Sequence, residues 1–154
     1  MLVGNIFLLF ATAATALSSP SHRRDATQLA TDTLVQDIQN IDTGVKALTA
    51  AVDAFPGTDL TTFAVSGVSV FAGVADIHVV NRKGYADALA SPVLDNAESK
   101  EIVDFTVATV GNSIPAGVDA LEAKKDAFAA AGLVPVALAG LKLLKYDHDT
   151  FSAA

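Results

Sequence analysis

Residues 34–57 read Leu-Val-Gln-Asp-Ile-Gln-Asn-Ile-Asp-Thr-Gly-Val-Lys-Ala-Leu-Thr-Ala-Ala-Val-Asp-Ala-Phe-Pro-Gly. Large apolar residues stand at Leu34, Ile38, Ile41, Val45, Leu48, Val52 and Phe55, alternately four and three positions apart. That spacing puts all of them on one face of an α-helix, because a helix returns to the same face every 3.6 residues or so. The stripe has no polar interruption, so it predicts one long helix with its apolar face against a core. Asp32, Asp37, Asp42, Lys46 and Asp53 lie off the stripe and are expected to face water. Asp25 and Thr27 are candidate caps near the start, and Pro56-Gly57 ends the helix.

Downstream the pattern stays helical. Thr58 or Asp59 is expected to cap a second helix, with Leu60, Phe63, Gly67, Phe71, Val74 and Ile77 on nearby faces. Its many β-branched residues leave a strand open for Phe63 to Phe71. Helix is preferred because the apolar residues do not alternate strictly and no hairpin signal flanks them. Ser91-Pro92 marks the next boundary, with Ser expected to cap and Pro to open a third helix. That helix turns Ile102, Phe105, Thr106, Thr109 and Val110 inward. Ser113-Ile114-Pro115 repeats the punctuation before a fourth helix with Val118, Leu121 and Phe128. Gly132 breaks it, and Pro135 opens a fifth with Val136, Leu138, Leu141 and Leu144, expected to finish near Lys142 and Lys145. The fold class is therefore all-α, an antiparallel bundle of four to five helices joined by short links. Interior glycines such as Gly67, Gly73, Gly84 and Gly140 suggest close helix approach in a bundle able to flex.

Upstream, Ile6 to Ala14 form an apolar run followed by the small-x-small pattern Ala14-Thr15-Ala16. Residues 1–16 read as a secretory signal peptide, although no Lys or Arg precedes the run. The run is too short for a membrane span, which needs about 20 apolar residues. Arg23-Arg24 follows at once, and residues 17–24 read as a pro-segment ending in a dibasic site. The plain alternative is an exposed basic pair without consequence. Residues 25–154 then form a single domain. Cleavage removes two of the ten basic residues and none of the 17 acidic ones, leaving a formal charge of −9. The charged C-terminal stretch from Lys142 to Asp149 does not resemble a lipid-anchor tail. The expected location is therefore extracellular, free or held non-covalently in a cell wall.

Composition excludes several functions. Hydrophobic residues make up 51% of the 154, enough for a real core. The formal charge of −7 argues against nucleic acid, since phosphate binding needs clustered Lys and Arg. There are no cysteines, so disulfides, thiol nucleophiles and cysteine–zinc sites are all excluded. No Asn-x-Ser/Thr triplet occurs, so N-glycosylation is not expected.

The search for chemistry yields little. Beyond residue 24 there are two histidines, His78 and His148, in no metal-ligand spacing. Asp147-His148-Asp149 could ligate a metal, but a solvated polar end is the preferred reading. Glu98 and Glu101 share a helix face beside Lys100 and read as solvated. No Gly-x-Ser-x-Gly elbow or phosphate-cradling loop occurs. No catalytic residue, metal or cofactor is assigned. Asn81-Arg82-Lys83 is a basic island that could meet a fatty-acid carboxylate, or simply exposed charge. The phenylalanines Phe63, Phe71, Phe105 and Phe128 fall on three helices. They form either an ordinary core or, with Leu141, the lining of an apolar tunnel between helices. These five are the candidate lipid-binding residues.

The run Asp37-Ile38-Gln39-Asn40-Ile41-Asp42-Thr43-Gly44-Val45-Lys46-Ala47-Leu48, continuing to Val52-Asp53-Ala54-Phe55-Pro56-Gly57, resembles the opening of the fungal hydrophobic surface-binding protein A family. Cell-wall galactomannoproteins are related to that family. The resemblance implies a secreted protein without catalytic residues that adsorbs to hydrophobic surfaces and helps recruit polyester- or cutin-degrading hydrolases. From the galactomannoprotein side it implies a bundle holding a fatty acid. A soluble fatty-acid carrier and a structural wall protein or effector are the alternatives. This chain has one unit and no Ser/Thr-rich stalk, unlike the larger wall proteins.

Overall fold

The computed structural model describes residues 20–57 and 67–154. The expected signal peptide, the Thr58 and Asp59 caps, Leu60 and Phe63 lie outside the described residues. So does much of the segment for which a strand was an alternative. Among the described residues there is no strand, and Val68 to Phe71 are helical. The protein is all-α. Among the described residues, five helices of 13 residues or more and one short helical segment make up the bundle.

Helix α1 spans Pro20–Asp53, 34 residues, or about 51 Å at a rise of about 1.5 Å per residue. It begins earlier than Asp25 or Thr27, so neither residue is its cap. Proline suits an early helical position, where no N–H partner is required. The expected dibasic cut after Arg24 would fall in its first turns. The stripe is buried as its spacing demands: Leu34, Ile38, Ile41, Leu48, Val52 and Phe55 are all in the core. Val45 is only half-buried, for a reason that emerges at the cleft described below. After Phe55, Gly57 turns the chain at φ +64°, a left-handed conformation open to glycine at little steric cost. Lys124 Nζ donates to the Phe55 carbonyl at 3.0 Å, placing a cation on the C-terminal dipole of α1.

Two expectations for α1 are overturned. Asp37 and Asp42 do not face water; each is 1% exposed. The expected water-facing side of α1 is covered because other helices pack there too.

Helix α2 spans Val68–Ala90. Ser91 closes α2 instead of opening the next helix: its N–H reaches the Ala88 carbonyl and its hydroxyl donates to the Asp87 carbonyl. Helix α3, Asn96–Ala108, is capped by Asp95. The Asp95 side chain accepts from the Ala97 and Glu98 N–H groups, and the Glu98 carboxylate accepts the Asp95 N–H. This reciprocal capping box also corrects Glu98 from a merely solvated acid. Helix α4, Val110–Ala123, starts before Pro115, which lies inside it. The break is at Thr109 (φ −113°, ψ −92°). There Asn112 Nδ2 donates to the carbonyls of Val107 and Ala108, groups that a continuous helix would have satisfied itself.

A short helix α5, Lys125–Ala130, ends at Gly132 as expected. Gly132 has φ +69°, and Leu133 N–H bonds back to the Phe128 carbonyl at 2.8 Å, the wide bond of a Schellman ending. Helix α6 spans Val134–Ser152. It runs well past Lys142 and Lys145, because Asp147 and Phe151 near its end are packed into the bundle.

Helix α1 is the axis of the fold. It packs on α2, α4 and α3, while α6 packs on α2 and on α5. One core cluster joins Leu48, Val52 and Phe55 to Val70, Ile77, Phe128 and Leu133. The Phe55 and Phe128 rings stack there with centroids 4.9 Å apart. A second joins Ile38, Ile41 and Val110, with Ile102, Phe105 and Phe151 against them. Close approach at glycine is evident where Gly73 meets Leu48 and Gly84 meets Phe151.

Candidate functional site

Helices α4 and α6 flank the same side of the bundle but stand apart, and between them lies a cleft. Its cavity measures about 250 Å³. Ile41, Val45, Leu48 and Val52 of α1 form the floor, with Ile77 of α2 beside them. Ile114, Gly117, Val118 and Leu121 make the α4 wall, and Leu141 and Leu144 the α6 wall. The half-burial of Val45 follows: its stripe position turns it inward, and inward at that level is the cleft. Gly117 keeps the α4 wall thin, since a Cβ there would sit 3.0 Å from Thr49 Oγ1.

The lining is mostly apolar, with Thr49, Asn81, Lys145 and His148 as its polar members. Asn81 donates its amide N–H to the Ile77 carbonyl at 3.0 Å. Lys145 and His148 stand on the α6 side, and Lys145 Nζ pairs with Asp149 at 2.5 Å. Val118 and Leu141 of the lining remain 43% and 41% exposed. Val134 and Leu138 precede Leu141 on one face of α6, at 45% and 48%. Apolar surface therefore continues from the cleft onto the outside of the molecule. A void above about 150 Å³ with apolar walls accepts a small hydrocarbon, and this one approaches the lower end of ordinary ligand pockets.

The five candidate lipid-binding residues are not gathered in one place. Phe63 is outside the described residues. Leu141 lines the cleft. Phe71 and Phe128, again with Leu141, border a separate space of about 20 Å³, little more than one water. Phe128 is otherwise core, 3% exposed. Phe105 packs against the second core cluster. Most of the cleft comes from aliphatic residues of α1 and α4. The α1 stripe did signal its floor, but nothing in the sequence distinguished lining from closed core.

The basic island is largely engaged. Lys83 Nζ lies 2.7 Å from Asp37 Oδ1 and 2.5 Å from Asp87 Oδ2. Arg82 stacks over the Tyr85 ring at 4.5 Å. Burial pushes the Asp37 carboxyl above its ordinary range, with the Asp87 carboxylate adding to it against the pull of Lys83. Lys83 is raised by hydrogen bonds to both acids, and Asp87 is lowered by Lys83 and Asp37. At Asp42 burial also works upward, but Lys46 Nζ at 2.7 Å and the Ser113 hydroxyl outweigh it, so this carboxyl falls below its ordinary range. Asp42 Oδ1 and Ser113 Oγ are both buried without a closer partner.

The C-terminal cluster is corrected as well. Asp147 is not solvated; it is 1% exposed, and its Oδ2 lies 2.7 Å from His78 Nδ1. Among the described residues no three His, Cys, Asp or Glu side chains converge as a metal site. Nor, among them, is any helix long and apolar enough to cross a membrane.

Among the described residues the all-α bundle thus carries an apolar cleft between two of its helices. The chain is a member of the hydrophobic surface binding protein A family, whose model matches residues 31–154. No curated protein and no solved structure matches it.

Proposed function

We propose that this is a secreted, non-catalytic protein that adsorbs to hydrophobic surfaces through the cleft between α4 and α6 and the apolar rim beside it. The observation that carries this reading is the continuity of apolar side chains from the α1 floor, past Val118 and Leu141, onto exposed Leu138 and Val134. Contact area of about 300 Å² contributes roughly 7 kcal/mol at about 25 cal/mol per Å², before any cost of rearrangement. The negative formal charge fits a neutral apolar partner better than an anionic one. The family name points the same way, and the family resemblance supports recruitment of a cutinase-like, polyester-degrading hydrolase by the adsorbed protein. The signal peptide, dibasic processing and extracellular or wall location belong to the same proposal.

A soluble fatty-acid carrier is the second reading. Lys145 and His148 on the α6 wall of a mostly apolar cleft suit a hydrocarbon chain with an acidic head. The test is depletion of the protein from solution onto polyester particles and onto bare silica, with and without excess oleate. A helical protein of similar size and charge is the control. Selective loss onto polyester, relieved by oleate, supports one apolar site serving both roles. Loss no greater than the control's removes surface binding and leaves lipid carriage.

A further inference from the structure

We infer that α6 is a hinged wall of the cleft, latched shut by the His78–Asp147 pair, and that its release exposes the apolar floor. This rests on the surface-binding reading above and names its regulation.

Helix α6 is attached to the bundle on one side. It packs on α2 and α5 but is separated from α4 by the cleft. At its N-terminal end Ala131 and Leu133 are buried in the core. Between them Gly132 turns the chain at φ +69° with nothing within 4 Å of where a Cβ would stand. The chain thus changes direction at a hydrogen-bonded turn between two core-anchored neighbours, and α6 is the arm that leaves this junction. At the far end the polar ties to α2 are His78 to Asp147, and Arg82 Nη1 to Thr150 Oγ1 at 3.4 Å, beside the apolar packing of Phe151 on Gly84 and the second core cluster.

The first tie is the strong one. The Asp147 side chain is 0% exposed and that of His78 is 38% exposed. A buried carboxylate depends on its partner, because an unpaired charge away from water is costly. The latch is nevertheless incomplete, since Asp147 Oδ1 is buried with no partner. Water would satisfy that oxygen once α6 moved away. Helix α6 is also apolar beyond its packed side, with Val136, Leu143 and Tyr146 exposed as well as Leu138 and Leu141. A helix apolar on most faces calls for burial on more than one side. A hydrophobic surface supplies that second side when α6 swings out.

The absence of cysteine makes the test direct. Gly140 and Val74 stand close across α2 and α6, a Cβ at Gly140 lying 3.4 Å from Val74 Cγ1, within reach of a disulfide. The Val74→Cys/Gly140→Cys protein, checked for unchanged helicity, is compared oxidised and reduced for adsorption to polyester particles. The latch is read separately in solution from the distance between spin labels at Ala116→Cys and Asp149→Cys, with and without His78→Gln. Expected are adsorption slowed about tenfold or more when oxidised and restored by reductant, and a released population raised roughly tenfold or more by His78→Gln. Oxidised protein adsorbing at the reduced rate overturns the hinge, as do label distances unmoved by His78→Gln. If the labels respond to His78 but reduced protein never adsorbs, the latch stands and the surface-binding reading falls.

Discussion

Filling the cleft should strengthen the fold while weakening its function, and Val45→Phe tests this. Val45 stands half-buried on the cleft floor, with its Cγ1 3.7 Å from the position of a Cβ on Gly117. A void of about 250 Å³ at about 24 cal/mol per Å³ sets a ceiling of roughly 6 kcal/mol on what ideal filling could gain. Phenylalanine adds four carbons to valine, worth about 3 kcal/mol if all are buried at about 0.8 kcal/mol per methylene. Imperfect fit against α4 takes back about 1–2 kcal/mol. The expected net is stabilisation of about 1–2 kcal/mol, or a Tm rise of roughly 2–8 °C for a chain of this size. The aromatic ring meanwhile occupies the space an apolar guest would use. Thermal unfolding followed by circular dichroism measures the first effect, and titration with a fluorescent apolar dye the second. Dye affinity should fall about tenfold or more, the equivalent of roughly 1.4 kcal/mol. A variant destabilised by more than about 1 kcal/mol that binds dye as tightly as the parent would refute both the cleft's emptiness and its role.

Three further predictions concern the frame around the cleft. Phe55→Ala removes a fully buried ring stacked on Phe128 and should cost about 3–5 kcal/mol in a urea melt. Asp95→Ala deletes the side-chain half of the α3 capping box, the bonds accepted from Ala97 and Glu98 N–H, and leaves the bond from the residue 95 N–H to Glu98; the expected loss is about 1 kcal/mol, with faster amide exchange confined to the start of α3. Asp42 has a lowered folded-state pKa, so its contribution is complete above the ordinary carboxylate pKa of 3.8. That contribution disappears as pH falls through the folded value. Stability of Asp42→Asn relative to the parent, measured by denaturant melts between neutral and acid pH, should therefore be worst at neutral pH and converge toward the parent's in acid. A constant gap across that range would contradict the assignment.

The stripe from Leu34 to Phe55 was legible because periodicity is local: a 3.6-residue repeat needs no knowledge of the partner. Gly132 was legible for a similar reason, as the chain's own geometry calls for glycine there. Proline was a poorer guide. Pro92 follows α2's Ser91 cap and precedes α3, and Pro115 lies inside α4, since proline restricts a helix without fixing where its neighbour begins. The Asp95-x-x-Glu98 capping box was present in the sequence and is the better start signal.

The burial of Asp37, Asp42 and Asp147 was not legible. The partners of Asp37 and Asp147 come from α2, at Lys83 and His78, and Asp42 meets Ser113 of α4 as well as Lys46 one turn away. Such partnerships arise only after helices distant in the chain have docked. The same holds for the cleft. The sequence by itself determined that the chain is helical, which face of α1 is apolar and that no thiol chemistry is available. Tertiary structure alone decided that α4 and α6 fail to meet, leaving part of that apolar face open. The difference is physical: amphipathicity is a property of one helix, whereas a cavity is a property of the space several helices leave unfilled.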